Sequence, residues 1–137
     1  MVLATSYRNI REKMKIVVTG GAGFIGSAFI NHLLDNFECD VLCVDKLTYA
    51  GRRMNIKHNV SFLQKDICDV TEDELGDFDY MVHFAAESHV DNSIKNGLPF
   101  VRTNVEGTFN LLEISRKNKN LKKFMVWYAI VSGAEVN

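Results

Sequence analysis

Apolar positions in this 137-residue chain gather into short continuous runs, with stretches of helical spacing between them. "KIVV" (15–18), "VLCV" (41–44), "VSFL" (60–63) and "YMVHF" (80–84) are the first four runs, and "FMVWYAIV" (124–131) is the last. Runs that are continuous rather than alternating suit strands covered on both faces, as in a parallel sheet. Between them, Ile25, Ala28, Phe29 and Leu33 recur at helical spacing, and Val101, Val105, Thr108 and Leu112 mark one face of a longer helix. Thr71 followed by Glu74 has the capping-box pattern of a short helix, and the single proline, Pro99, stands where it can open the long one. Strands alternating with helices imply right-handed crossovers. The pattern therefore predicts an α/β fold, a doubly wound parallel sheet of about five strands that makes a partial Rossmann fold.

Composition narrows the function classes. The length suits about one domain with one core. Sixteen basic and seventeen acidic residues give a net charge of −1, scattered rather than in blocks, so nothing points to nucleic acid or an anionic membrane. No apolar run approaches the roughly 20 residues of a spanning helix, and "MVLATSYRNIREK" lacks the apolar core of a signal peptide, which makes the cytoplasm the expected compartment. Cys39, Cys43 and Cys68 are odd in number, and Cys39 and Cys43 lie along a strand instead of in a CxxC loop. They read as packed thiols, with no metal site and no disulfide framework.

The chemistry begins at "VTGGAGFIGSAF" (18–29), four glycines in seven positions between a predicted strand and a predicted helix. Gly21, Gly23 and Gly26 fit G-x-G-x-x-G, while Gly20, Gly23 and Gly26 fit G-x-x-G-x-x-G. In that context the early glycines allow a tight turn, a middle one lets backbone approach a pyrophosphate, and the last lets helix pack on strand. The helix N-terminus offers free N–H groups and partial positive charge to phosphates. Asp45 follows the second strand and stands nineteen residues after Gly26. That is close to the roughly 20 expected of a carboxylate that holds an adenosine ribose, and such a carboxylate repels a 2′-phosphate, so NAD is favoured over NADP although Lys46, Arg52 and Arg53 lie nearby.

Asp66, past the third strand, is a candidate for the adenine edge or a turn cap. "HFAAESHVDNS" (83–93) leaves the fourth strand at the carboxyl edge of the sheet, where ligands of doubly wound folds bind. Ala85 and Ala86 are small enough for a cofactor to lie against, and Glu87, Ser88, His89 and Asp91 supply polar groups. His89 is a general-base candidate or a surface histidine. Asn104, with Thr103 among apolar helix positions, is suited to tying down the loop after the fourth strand.

"MKIVVTGGAGFIGS", "VDKLTYAG", "DICD", "HFAAESHVDNSI" and "TNVEGTFNLLE" together resemble the nucleotide-sugar branch of the extended short-chain dehydrogenases, the NAD-dependent epimerases and dehydratases, and within it the dTDP-glucose 4,6-dehydratases. "DKLTYAG" (45–51) and "AAESHVD" are the specific part, and the resemblance runs from Met14 to about Phe124. It implies a 1–13 extension and an NAD-binding Rossmann domain over 14–137, with the family's substrate domain absent. Besides the Gly20, Gly23 and Gly26 turn, it implies Phe24 and Ile25 under the pyrophosphate. Asp45, Lys46, Leu47 and Thr48 would wrap the ribose, and Asp66 and Ile67 would flank the adenine. Phe84, Ala85, Ala86, Glu87 and Ser88 would line the nicotinamide side with Thr103 behind them, and Ser88 and His89 would face a nucleotide sugar such as dTDP-glucose. In the family, NAD oxidises the sugar at C4, water is lost across C5 and C6, and the hydride returns to C6.

The departures limit what is carried over. Asn92 stands where the family has arginine in "HVDRS". "VSGAEV" (131–136) puts Gly133 and Ala134 where "VSTDEV" has Thr and Asp, keeping Glu135, and no Tyr-x-x-x-Lys occurs. No catalytic residue is therefore assigned. The expectation is a truncated NAD-binding portion, inactive alone. The alternatives are a stand-alone binding or regulatory module that pairs with a full-length relative or as a homodimer, and a nonfunctional frameshift remnant, with the packing of "FMVWYAIV" as a discriminator.

Overall fold

The computed structural model describes residues 13–47, 52–84 and 102–127. Five parallel strands form one sheet in the order β3-β2-β1-β4-β5. They are β1 (Lys15–Thr19), β2 (Asp40–Asp45), β3 (Ser61–Gln64), β4 (Tyr80–His83) and β5 (Lys123–Val126). The helices are α1 (Phe24–Asn36), α2 (Glu72–Leu75) and α3 (Thr108–Lys117), with a 3₁₀ turn at Arg53–Asn55 and a π-helical turn at Arg102–Gly107. The expected doubly wound parallel sheet is thus present. Its order reverses between β1 and β4, which puts the crevice of the fold beside the glycine turn that follows β1.

Alternate residues of each strand feed two cores. Ile16, Val18, Val41, Cys43 and Val82 pack with Ile30 of α1 on one face. Val17, Val44 and Met81 pack with Leu75 of α2 and with Leu111 and Ile114 of α3 on the other. Burial on both faces explains why β1 reads as an unbroken apolar run. The Thr71–Glu74 pattern forms its full capping box and starts α2.

Three expectations need correction. The face drawn through Val105 and Leu112 points outward, with Val105 62% exposed, while Leu111, Ile114 and Ser115 face the sheet. Within α3 itself the inward side carries Thr108, Leu111, Ile114 and Ser115, a spacing that leaves Leu112 on the outer side. In α1, Phe29 and Leu33 pack inward as the spacing predicts, but Ile25 is exposed and Ile30 takes the central place. Lastly, β5 is not covered on both faces: Phe124 packs on the core, Met125 faces out, and Trp127 is half exposed against Phe84, with ring centroids 6.3 Å apart. As the last strand in the order, β5 has its outer face less covered than β1. Residues 128–131 of that predicted strand lie outside the described residues.

Candidate functional site

The turn after β1 is built from backbone. Gly20 takes φ 69°, a left-handed conformation open to glycine, and its N–H donates to Val44 O at 2.7 Å, which binds the turn to β2. A Cβ on Gly26 would collide with Gly20 O and come within 2.9 Å of Gly21 Cα, so the start of α1 lies directly against the turn. A Cβ on Gly21 would meet Cys43 Sγ and Ile30 Cδ1 at 2.6 Å. The reason for so many glycines is close packing of turn, strand and helix. Gly23 is the N-cap of α1, with no side-chain cap and no acidic residue in the first turn. The first N–H groups of a helix have no intrahelical partner, so those of α1 remain an anion-binding end.

Asp45 sits at the end of β2, nearly buried, beside this turn. Its Oδ2 accepts from Ala22 N–H at 3.0 Å and its Oδ1 from Leu47 N–H at 2.8 Å. One carboxylate thus joins the glycine turn to the loop after β2. Leu47 has φ 57°, rare for a branched residue, and the bond from its N–H to Asp45 holds it there. Lys46 reaches across to Asp66, Nζ to Oδ2 3.8 Å, linking the loops after β2 and β3. Asp66 caps its own turn through Cys68 N–H at 2.9 Å. Partial burial raises the Asp66 pKa, but the Cys68 N–H and thiol, Lys46 and Arg102 outweigh it and hold the carboxyl below its ordinary value.

Two further sets of contacts brace these loops. Ala22 O accepts from Arg52 N–H at 2.9 Å and from the Asn55 side chain at 3.0 Å, while Asn31 of α1 donates to Asn55 O at 2.9 Å. On the opposite face, the Asn110 amide of α3 donates to Ile67 O at 2.7 Å and to Val70 O at 2.9 Å. Beside it, His83 Nδ1 lies 2.6 Å from Thr19 Oγ1 and its Nε2 2.9 Å from Thr108 Oγ1. Burial pushes the His83 pKa down to about 4, so the ring is neutral near pH 7.

Of the residues singled out from the sequence, Gly20, Gly23, Phe24, Ile25, Gly26, Asp45, Lys46, Leu47, Asp66 and Ile67 gather at the carboxyl ends of β1, β2 and β3. Phe24 is 88% exposed over the first turn of α1, whereas the Ile67 side chain is buried in the core, leaving its backbone for the site. Phe84 follows β4 and packs against Phe29, with centroids 5.4 Å apart. Thr48, Ala85, Ala86, Glu87, Ser88 and His89, with the Thr103 side chain, lie outside the described residues. So do Asp91, Asn92 and the "VSGAEV" segment. Sequence reasoning missed the Asn31–Asn55 brace, the Asn110 clamp and the Thr19–His83–Thr108 set. Their signal was polar residues inside apolar stretches. All three thiols are unpaired with their pKa values raised by burial, Cys43 to about 12 and Cys68 to about 11. They are protonated near pH 7. Among the described residues no group of three or more His, Cys, Asp or Glu could hold a metal ion, and no helix is long and apolar enough to cross a membrane.

This architecture matches a known family, the NAD dependent epimerase/dehydratase family, whose model covers residues 16–129. The chain belongs to that family. Among its curated members, a probable dTDP-glucose 4,6-dehydratase of Sinorhizobium fredii is 50% identical over 113 residues, 76% of this chain and 32% of the relative. The low-salt glycan biosynthesis protein Agl12 of Haloferax volcanii is 50% identical over 107 residues, 73% of this chain and 34% of the relative. The dTDP-glucose 4,6-dehydratase DesIV of Streptomyces venezuelae, solved with NAD bound, superposes with a TM-score of 0.70 at 44% identity, over 74% of this chain and 35% of that one. A UDP-N-acetylglucosamine 4-epimerase of Methanobrevibacter ruminantium gives a TM-score of 0.74 at 31% identity, over 82% of this chain and 37% of that one. The chain spans about a third of the length of the curated relatives it matches.

Proposed function

We propose that this polypeptide is the NAD-binding portion of a nucleotide-sugar 4,6-dehydratase. The observation that carries the reading is the cradle itself: a turn with no room for a Cβ at Gly26, opening onto an uncapped helix end and joined through Ala22 N–H to Asp45. A dinucleotide fits such a cradle. Gly20, Gly23, Gly26 and the first N–H groups of α1 would take the pyrophosphate, with Phe24 and Ile25 beneath it. Asp45 would accept from the ribose hydroxyls with the lone pairs that Ala22 and Leu47 leave open, flanked by Lys46, Leu47 and Thr48. Asp66 and the Ile67 backbone would meet the adenine. Phe84 through Ser88, with Thr103, would line the nicotinamide side, and Ser88 and His89 would face a dTDP-glucose-like sugar.

When bound, NAD would supply a reversible hydride acceptor. Two of the three cations near Asp45 are engaged elsewhere, which supports NAD over NADP: Lys46 pairs with Asp66 and the Arg53 guanidinium lies over Phe62 at 4.6 Å. The sequence contains no Tyr-x-x-x-Lys. The polypeptide alone is therefore expected to bind cofactor without turning over a nucleotide sugar. An NAD titration tests this. Wild type binds NAD more tightly than NADP, and Asp45→Asn, checked for folding by thermal unfolding, weakens NAD by roughly tenfold, the scale of one charged hydrogen bond. Absence of NAD binding, equal affinity for NADP, or formation of a 4-keto-6-deoxy sugar by the polypeptide alone overturns the reading.

A second reading, a module that pairs with a copy of itself or a full-length relative, is favoured by one observation. Val105, Phe109 and Leu112 are 62%, 65% and 46% exposed in a row on the outward side of α3 and the turn before it.

A further inference from the structure

His83 is a buried, neutral group that cofactor binding does not use directly. On the face of the sheet covered by α3, its ring lies between two threonines from distant parts of the chain. Thr19 is the last residue of β1 and precedes Gly20; Thr108 is the first residue of α3. A neutral imidazole has one N–H and one acceptor nitrogen, while each hydroxyl both donates and accepts. The set is thus satisfied in either tautomer, one hydroxyl donating to the ring and the other accepting from it. Two residues after Thr108, Asn110 holds the carbonyls of Ile67 and Val70 in the loop after β3. Gly107, one residue before Thr108, lies so close to Ile67 that a Cβ would overlap it.

The first turn of α3 therefore touches both loops that flank the carboxyl edge. It reaches the adenine-side loop through Gly107 and Asn110, and the glycine turn through Thr108, His83 and Thr19. We infer that His83 is a positioning residue that fixes the glycine turn in register with α3 and, through α3, with the loop after β3. The backbone reinforces this placement, because Phe84 N–H donates to Thr19 O at 2.8 Å and Trp127 N–H to His83 O at 3.0 Å. Replacing the imidazole by an apolar ring leaves Thr19 Oγ1 buried without its partner, and the end of β1 is then free to shift against α3. A side-chain amide has a donor and an acceptor and can keep part of the bridge.

The functional consequence rests on the NAD-binding reading above, whereas the mechanical one does not. The test compares His83→Phe, His83→Gln and Thr108→Val with Leu75→Met and Leu75→Ala, core variants in α2 that bracket their loss of thermal stability. Leu75 is remote from the carboxyl edge, its carbonyl accepting from Lys15 Nζ at the start of β1. Amide exchange of Gly20 and Gly23, followed by NMR, is the first readout. His83→Phe and Thr108→Val are expected to speed it by roughly tenfold over Leu75 variants of equal melting temperature, with His83→Gln between them and wild type. NAD affinity is the second, with a loss of similar size in the same order.

Exchange at the glycine turn that follows global stability alone, with His83, Thr108 and Leu75 variants on one line, overturns the inference. Should wild type fail to bind NAD, the cofactor reading falls while the exchange data still decide the clamp. Should His83→Phe fail to fold, Thr108→Val and His83→Gln carry the comparison.

Discussion

Helices α1 and α3 lie on opposite faces of one sheet, and each uses an asparagine to hold a loop outside its own span. Asn31 of α1 grips the turn at Asn55, and Asn110 of α3 grips Ile67 and Val70. The means of holding the site differ. On the α1 side the helix start meets the turn backbone to backbone at Gly26, and Gly21 lies tight under the Cys43 and Ile30 side chains, neither with free space for an added carbon. On the α3 side the same sheet edge is held by side chains, Thr108, Asn110 and the buried His83. Backbone contact at van der Waals distance fails outright when an atom is added, whereas side-chain hydrogen bonds weaken by degrees. The molecule thus puts its least tolerant construction where a phosphate would approach and its adjustable one behind it.

The sharpest break in that comparison is Gly26→Ala. Its new Cβ would strike Gly20 O and Gly21 Cα, backbone atoms that cannot rotate aside as a side chain can. A loss of about 3 kcal/mol of stability is expected, at the upper end for overpacking, together with loss of NAD binding. Urea unfolding with and without NAD measures both. A midpoint equal to that of wild type would show that the turn yields, and would remove the contrast between the two faces.

The α3 side responds instead to protons. Burial lowers the His83 pKa from 6.5 to about 4, so the unfolded chain binds a proton between those values and the folded chain does not. Stability from this group is complete above pH 6.5, declines as pH falls toward 4, and levels off below it, a change of about 3 kcal/mol at most. Stability measured by urea unfolding across that window is expected to fall with acid in wild type and to fall less steeply in His83→Gln. Parallel slopes would mean that other groups set the acid response. The carboxyls of Asp66, Glu74 and Glu113, whose folded pKa values are lowered, add to the acid loss from about pH 5 downward, and they do so equally in both proteins.

What was legible in the sequence follows the same division. The strands, the glycine turn and Asp45 were readable because buried parallel strands leave continuous apolar runs and the turn needs its glycines at fixed spacing. Asp45 was placed correctly at the end of β2, but its bonds to Ala22 and Leu47 join positions distant in or unsignalled by the sequence. The side-chain clamps behind the site were hidden for a related reason. His83 reads as one more residue of a strand, and neither Thr19 nor Thr108 stands near it in sequence, so only the sheet order brings the three together. The outward turn of Val105 and Leu112 was missed because this helix offers two overlapping apolar stripes, one through Val105 and Leu112 and one through Leu111 and Ile114, and spacing alone does not say which meets the sheet.

The smallest expected effect on stability belongs to the outward face of α3. Val105, Phe109 and Leu112 are exposed, and charged pairs border them, Arg102 with Glu106 at 3.5 Å and Arg116 with Glu113 at 2.9 Å. An apolar strip inside a polar rim is the arrangement of a helix that packs against another chain. Phe109→Ser removes an exposed ring, so the monomer's stability should change by no more than about 0.5 kcal/mol. If the strip joins two copies, wild type sediments with a concentration-dependent mass approaching that of a pair, and Phe109→Ser sediments as a monomer. A wild-type mass that stays monomeric at every concentration removes self-pairing and leaves a full-length relative as the partner to titrate. Loss of folding in Phe109→Ser would instead show that this partly covered ring stabilises α3 within the domain.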